Sequence, residues 1–222
     1  MIKNKAQKQK LLSPEAYIKE KARQLPIECY IGTKWDYMGE KTVIVTRQHP
    51  QGHFTMGVYL VDIYCKGLLH SEYFFNMNHD DYEMMVKRID MDEDLKKAAY
   101  ADAHKLVYGA IDFAEAVGID SEDSFDITKY ILDEKKEEIP FAEFGRNGKH
   151  YLRADTDEEA ELYIPIIMEA IGTDFTYSIE GVTDGEVDAA EVPFGDFDFS
   201  ELNYDEEEFD KMFEKLNRES QD

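Results

Sequence analysis

Only two cysteines, Cys29 and Cys65, occur among 222 residues. Two thiols set apart in an early loop-like stretch and in an apolar run make no disulfide framework, so a reducing, cytoplasmic setting is expected. No stretch approaches eighteen consecutive apolar residues, and the basic N-terminus is not followed by an apolar segment of signal-peptide type; neither membrane spanning nor secretion is expected. Gly-x-Ser-x-Gly, a Walker loop, a dinucleotide fingerprint and a Cys-His-Asn arrangement are all missing, and with them the commonest hydrolase and nucleotide-binding signatures. Basic residues are also scarce. Twenty-five Lys and Arg stand against 49 Asp and Glu, a formal charge of -24, which repels nucleic-acid phosphates and argues against bulk nucleic-acid binding.

The charge is uneven along the chain. Residues 1–24 hold seven basic and two acidic side chains, whereas residues 180–222 hold three basic and sixteen acidic ones. Such polarity marks ends that meet partners or solubilise a globular centre. The expected organisation is a basic arm with a short helix over 1–24, a single globular domain over 25–179, an acidic Phe-containing linker over 180–203, and an amphipathic helix over 204–218.

Within the domain, Ser13-Pro14-Glu15 opens the first helix and Pro26 stops it. β-branched and aromatic runs at 42–47 and 54–61 flank the turn His49-Pro50-Gln51-Gly52, a hairpin signal, and 71–76 continues a meander. A short helix is expected around 82–89. A long one is expected from Leu95, Ala99, Ala103, Leu106, Ala110, Phe113, Ala114 and Val117, which recur at three- and four-residue steps before Gly118. After a short amphipathic piece at 125–132, Asn147-Gly148 between 141–145 and 149–153 predicts a second hairpin. A helix from Thr156 to Gly172 follows, where the packing is expected to stop. The fold class is therefore α+β: an antiparallel β-meander packed against a long central helix, with a second β-hairpin and an acidic C-terminal helix.

Three places carry candidate chemistry. His49 and His53 flank the first hairpin turn and, with Asp62, form a candidate metal set; His70, His79, Asp80 and Asp81 supply further donors, without the spacing of a tight metal signature. Asp62 is the odd carboxylate in an apolar strand, which is costly unless bonded, paired or metal-bound. His104 lies between Tyr100 and Tyr108 at four-residue steps on the long helix, so His104 and Asp62 are the candidate catalytic pair. The plainer reading of each is structural: turn histidines bonding locally, an aspartate capping the turn after its strand, and a polar seam on a helix.

Two segments suggest partners instead. Arg146, Lys149 and Arg153, with His150, gather on the second hairpin of an otherwise acidic protein, where an anion or acidic partner would dock. Phe194, Phe197 and Phe199 stand among aspartates, and Phe209, Met212, Phe213 and Leu216 form one stripe of the last helix, which Asn203 and Glu206 cap; such a segment suits a basic, apolar groove.

VTRQHPQGHFTMGVYLVDIYCKG at 45–67, AHKLVYGA at 103–110 with Phe113-Ala114, and FGRNGK at 144–149 together resemble an uncharacterised conserved bacterial family. The resemblance spans residues 42–153. Some members of that family carry a zinc-binding SEC-C tail; its cysteines are absent here, and no activity comes with the resemblance.

Taken together, the sequence predicts a non-enzymatic protein-binding or adaptor module that uses its acidic C-terminal segment and has another protein as partner. The alternatives are a metal-dependent hydrolase or nuclease built on the His/Asp set, which alone would call for a divalent metal, and an acidic mimic of nucleic acid. The sequence leaves the oligomeric state open.

Overall fold

Thr42–Arg47 is buried at every position, which an alternating strand achieves only when both faces of its sheet are covered. The computed structural model, which describes residues 12–121, 123–136, 139–140, 144–181 and 185–190, shows how. The chain divides into Met1–Ala190 and Glu191–Asp222, and only the first contains described residues. In it run α1 (Pro14–Lys21), β1 (Ile27–Gly32), β2 (Glu40–Gln48), β3 (Phe54–Asp62), β4 (Gly67–Met77), α2 (His79–Glu93), β5 (Leu95–Ala98), α3 (Tyr100–Glu115), α4 (Phe125–Thr128), β6 (His150–Ala154), α5 (Asp157–Ile171), β7 (Phe175–Ile179) and β8 (Val187–Asp188).

Five strands pair antiparallel in the order β4-β3-β2-β1-β5. Side-chain alternation sends Val43, Val45, Tyr59 and Val61 to one face, where Ile18 of α1, Ala103, Val107 and Ala110 of α3 and Phe125 of α4 meet them. Ile44, Phe54 and Met56 point the other way, against Tyr82, Met85, Val86 and Ile89 of α2. The small residues of α3 let neighbouring chain approach closely: a Cβ on Gly109 would lie 2.3 Å from the Phe144 ring. Ser71 of edge strand β4 is held by its neighbours, its N–H donating to Ser124 Oγ at 3.1 Å and its hydroxyl lying 2.8 Å from Thr128 Oγ1.

The meander, the first helix with its Ser13 cap, and the Thr156-capped helix stand as the sequence predicts. Five expectations are corrected. The long helix does not begin at Leu95: Asp94 at φ 49 ends α2, and Leu95–Ala98 pairs with β1 before α3 starts. Cys29 lies in that β1 strand, buried, rather than in a loop. The second hairpin is only a turn. Asn147 and Gly148 do take positive φ, closing the Arg146–Lys149 bridge, but β6 then pairs parallel with β7 across α5. Packing therefore continues past Gly172 and past 179, through β7 with its fully buried Phe175 and through β8 to the buried Ala189. The N-terminal helix likewise belongs to the core, since Ile18 and Ala22 are buried. Most of the expected acidic linker and all of the terminal helix lie outside the described residues.

Candidate functional site

The long β2–β3 hairpin separates the candidate residues into two poles. At the turn, His49 N–H donates to the His53 carbonyl at 2.7 Å. The His49 ring is buried, stacked on Tyr17 at 4.9 Å, with Nε2 2.8 Å from Thr55 Oγ1. Burial, and then the neighbouring His53, holds its pKa below the ordinary value and keeps the imidazole neutral. His53 Nδ1 lies 3.0 Å from Asn76 Oδ1. Both rings thus bond locally.

Asp62 is at the other pole. Gln48 pairs with Phe54, whereas Glu40 pairs with Asp62, so β3 carries Asp62 about 26 Å from the turn at roughly 3.3 Å per residue. Its carboxylate accepts from Tyr64 N at 2.7 Å and Lys66 N at 2.9 Å, capping the turn into β4. The metal set His49, His53 and Asp62 is therefore not brought together. Among the described residues no group of three or more His, Cys, Asp and Glu is placed to hold a metal ion.

Near the turn pole lies a knot that sequence reasoning missed. Arg47, at the end of β2 and 3% exposed, donates to four acceptors: Ile131 O at 2.8 Å, Leu25 O at 3.2 Å, Arg23 O at 3.4 Å and Asp133 Oδ1 at 3.0 Å. Its guanidinium also lies 5.5 Å from the Tyr100 ring centre. Arg23 repeats the device, donating to the Leu132 and Lys129 carbonyls and to Glu134. A planar fork of fixed donors suits such diverging carbonyls, as an ammonium does not. A lone charge in the otherwise uncharged, β-branched run 42–47 was the available signal.

His104 serves this knot. Its Nε2 lies 3.0 Å from the Asp133 carbonyl, so Nε2 carries the proton, while Asp133 N–H donates to Tyr100 Oη at 2.6 Å. Tyr100 and Tyr108 flank the imidazole at 5.6 and 4.7 Å, the polar seam that the four-residue spacing predicts. Outside it is a cleft of about 470 Å³ lined by residues including Tyr100, His104, Lys105, Lys136, Ile139 and Pro140. The expected catalytic pair is not formed: His104 acts beside Arg47, and Asp62 lies at the opposite end of the hairpin.

The Asp62 pole is a network of charges. Lys66 Nζ sits 2.7 Å from Glu159 Oε1, and both side chains are largely buried. Burial alone would depress the Lys66 ammonium, but Glu159 and Asp62 outweigh it and hold its pKa above the ordinary value. Burial raises the Asp62 carboxyl against the pull of Lys66 and the backbone amides. It also raises Glu40, which Lys66 and Arg153 partly offset, and pushes the Tyr163 phenol up to about 12. Glu159 Oε2 accepts from Asp155 N at 2.7 Å, so the start of α5 is tied to the turn between β3 and β4.

The basic residues of the second turn are similarly occupied. Arg146 pairs with Glu186 at 3.4 Å and lies over the Tyr151 ring; Lys149 pairs with Asp174 at 3.1 Å; Arg153 bridges Glu40, Asp155 and Glu180 at 3.3–3.4 Å. Arg146, Lys149 and Arg153 form a seam with the chain's own acids rather than an open basic patch. Phe194, Phe197, Phe199, Phe209, Met212, Phe213 and Leu216 lie outside the described residues.

No helix among the described residues is long and apolar enough to cross a membrane. No family model, curated protein or solved structure matches the chain.

Proposed function

We propose that this protein is a protein-binding module whose contact element is Glu191–Asp222. The observation that carries the reading is the boundary between two units at Ala190: the 32 residues beyond it hold twelve acidic and three basic side chains with the aromatic and aliphatic side chains Phe194, Phe197, Phe199, Phe209, Met212, Phe213 and Leu216. A partner with a basic rim around an apolar groove matches that chemistry. The engagement of His49, His53, His104 and Asp62 in hydrogen bonds within the fold supports a scaffold role for Met1–Ala190. The segment 42–153, which resembles the uncharacterised bacterial family, lies wholly within that scaffold.

The test compares the full chain, a chain ending at Ala190, and a full chain with Phe209→Ala and Phe213→Ala as baits, with captured proteins identified by mass spectrometry. Capture of one basic partner by the full chain alone is expected. Equal capture by the chain ending at Ala190 overturns the reading and moves the contact onto the folded unit.

A further inference from the structure

Two main-chain bonds tie the turn between β3 and β4 to the chain that enters the β6–α5–β7 layer: Gly145 N donates to Ile63 O at 2.8 Å and Tyr151 N to Tyr64 O at 3.1 Å. Side chains complete this joint, with Lys66 on Glu159 at 2.7 Å, Arg153 on Glu40 at 3.4 Å, and the Tyr64 and Tyr151 rings 5.8 Å apart. Its charges do not balance. Register sets Glu40 of β2 directly opposite Asp62 of β3, Asp62 is 4% exposed, and like charges so placed repel. Asp155 and Glu180 also draw on Arg153, so Glu40, Asp62, Asp155, Glu159 and Glu180 share the two cations Lys66 and Arg153. Asp62 has the amides of Tyr64 and Lys66 to support a charge. Glu40 meets a long bond from a shared guanidinium, and of the two opposed carboxylates it has the weaker hold on its charge.

We propose that Glu40 is a proton-operated latch: protonated, it lets the β6–α5–β7 layer sit tightly on the meander, and ionised, it loosens that joint while both parts remain folded. Loosening returns Glu40 to water, where its pKa is the ordinary 4.5. In the closed joint burial, with Asp62 and Asp155 adding to it, holds the carboxyl higher despite Lys66 and Arg153. Opening therefore releases a proton, and becomes easier as pH rises from 4.5 through the raised value. Burial raises Asp62 as well, which acts in the same sense. The Tyr163 phenol of α5, pushed up to about 12, and the Lys66 ammonium, held above its ordinary value, keep their protons throughout. Lys41, next along β2, is paired with Asp36. His150, whose Nε2 lies 2.9 Å from Phe113 O in the same joint, titrates in the opposite sense: burial holds its pKa below the ordinary 6.5, so its contribution fades as pH falls. The effect of Glu40 is therefore read against Glu40→Gln, which fixes the neutral form at every pH and leaves His150 in place.

Hydrogen exchange resolved by NMR reports on the joint through the Gly145 and Tyr151 amides, and on the sheet through those of Val43 and Val45 in central strand β2. The quantity to follow is the protection of each amide in Glu40→Gln divided by its protection in the wild type. At Gly145 and Tyr151 this ratio should climb from about one near pH 4.5 to at least about three near pH 7.5. At Val43 and Val45 it should stay near one, which also shows that the variant is folded. A ratio at Gly145 and Tyr151 that is flat or falls with pH overturns the proposal. So does an equal rise at all four amides, which would make Glu40 a determinant of global stability rather than of the joint.

Discussion

The two ends of the β2–β3 hairpin both bury charge, and they do it by opposite means. At the Arg47 end, three of the four acceptors around the guanidinium are backbone carbonyls, which do not titrate. At the Asp62 end, Lys66 and Arg153 are held by carboxylates, among them Asp62 and Glu40 with pKa values raised by burial. Charge anchored on carbonyls is indifferent to pH, whereas charge anchored on carboxylates is not. The hairpin thus separates a fixed clamp from a titratable one.

Arg47→Leu should break that comparison most severely. It leaves the Ile131, Leu25 and Arg23 carbonyls and Asp133 without their donor, and should cost about 4 kcal/mol in urea unfolding, nearly the same at pH 5 and pH 8. Lys66→Met should cost less, about 2 kcal/mol at pH 7, because Glu159 keeps partial solvent access; the loss should shrink at low pH, since burial already raises the Asp62 carboxyl toward its neutral form. A pH dependence of Arg47→Leu matching that of Lys66→Met would erase the distinction.

Glu40→Gln sharpens it. The folded pKa of Glu40 lies above its ordinary 4.5, so the folded state holds more proton than the unfolded state between those two values. Stability due to this group is full below 4.5 and falls as pH rises through the raised value. Melting temperatures from pH 4 to 7 should therefore decline less for Glu40→Gln than for wild type. Lys149→Ala removes only exposed pairs with Asp174 and Asp188, and should shift stability by less than about 0.5 kcal/mol.

Local signals were legible where local physics decides. Ser13 and Thr156 cap helices through their own side chains, and the turn at His49–His53 joins two runs rich in β-branched and aromatic residues. Leu95 to Ala98 misled because Leu95 stands four residues before Ala99 and eight before Ala103, which fits a helical period as well as a short edge strand, and the deciding contact is with β1, sixty-odd residues earlier. The parallel pairing of β6 with β7 was similarly hidden, since an Asn-Gly turn describes its own geometry and not the strand that lies alongside afterwards. Asp62 stood as a candidate metal ligand and catalytic residue beside the plainer reading of a turn cap; its hydrogen bonds to Tyr64 N and Lys66 N match the plainer one, and its separation from the histidines depends on strand length and register. Arg47 was missed because its acceptors are carbonyls at 23, 25 and 131, and carbonyls have no sequence signature.

Ser71 has a consequence beyond packing. A sheet of five strands must end twice, and each outer strand offers a row of backbone groups to any stray chain. One border is the four-residue β5, which bears Lys96 and Lys97. The other is the eleven-residue β4, long enough to template aggregation, and there the hydroxyl of Ser124 occupies the Ser71 N–H that an incoming strand would need. The serine next to a four-residue helix thus takes up one backbone donor of the longer border, which an incoming strand would otherwise have to pair.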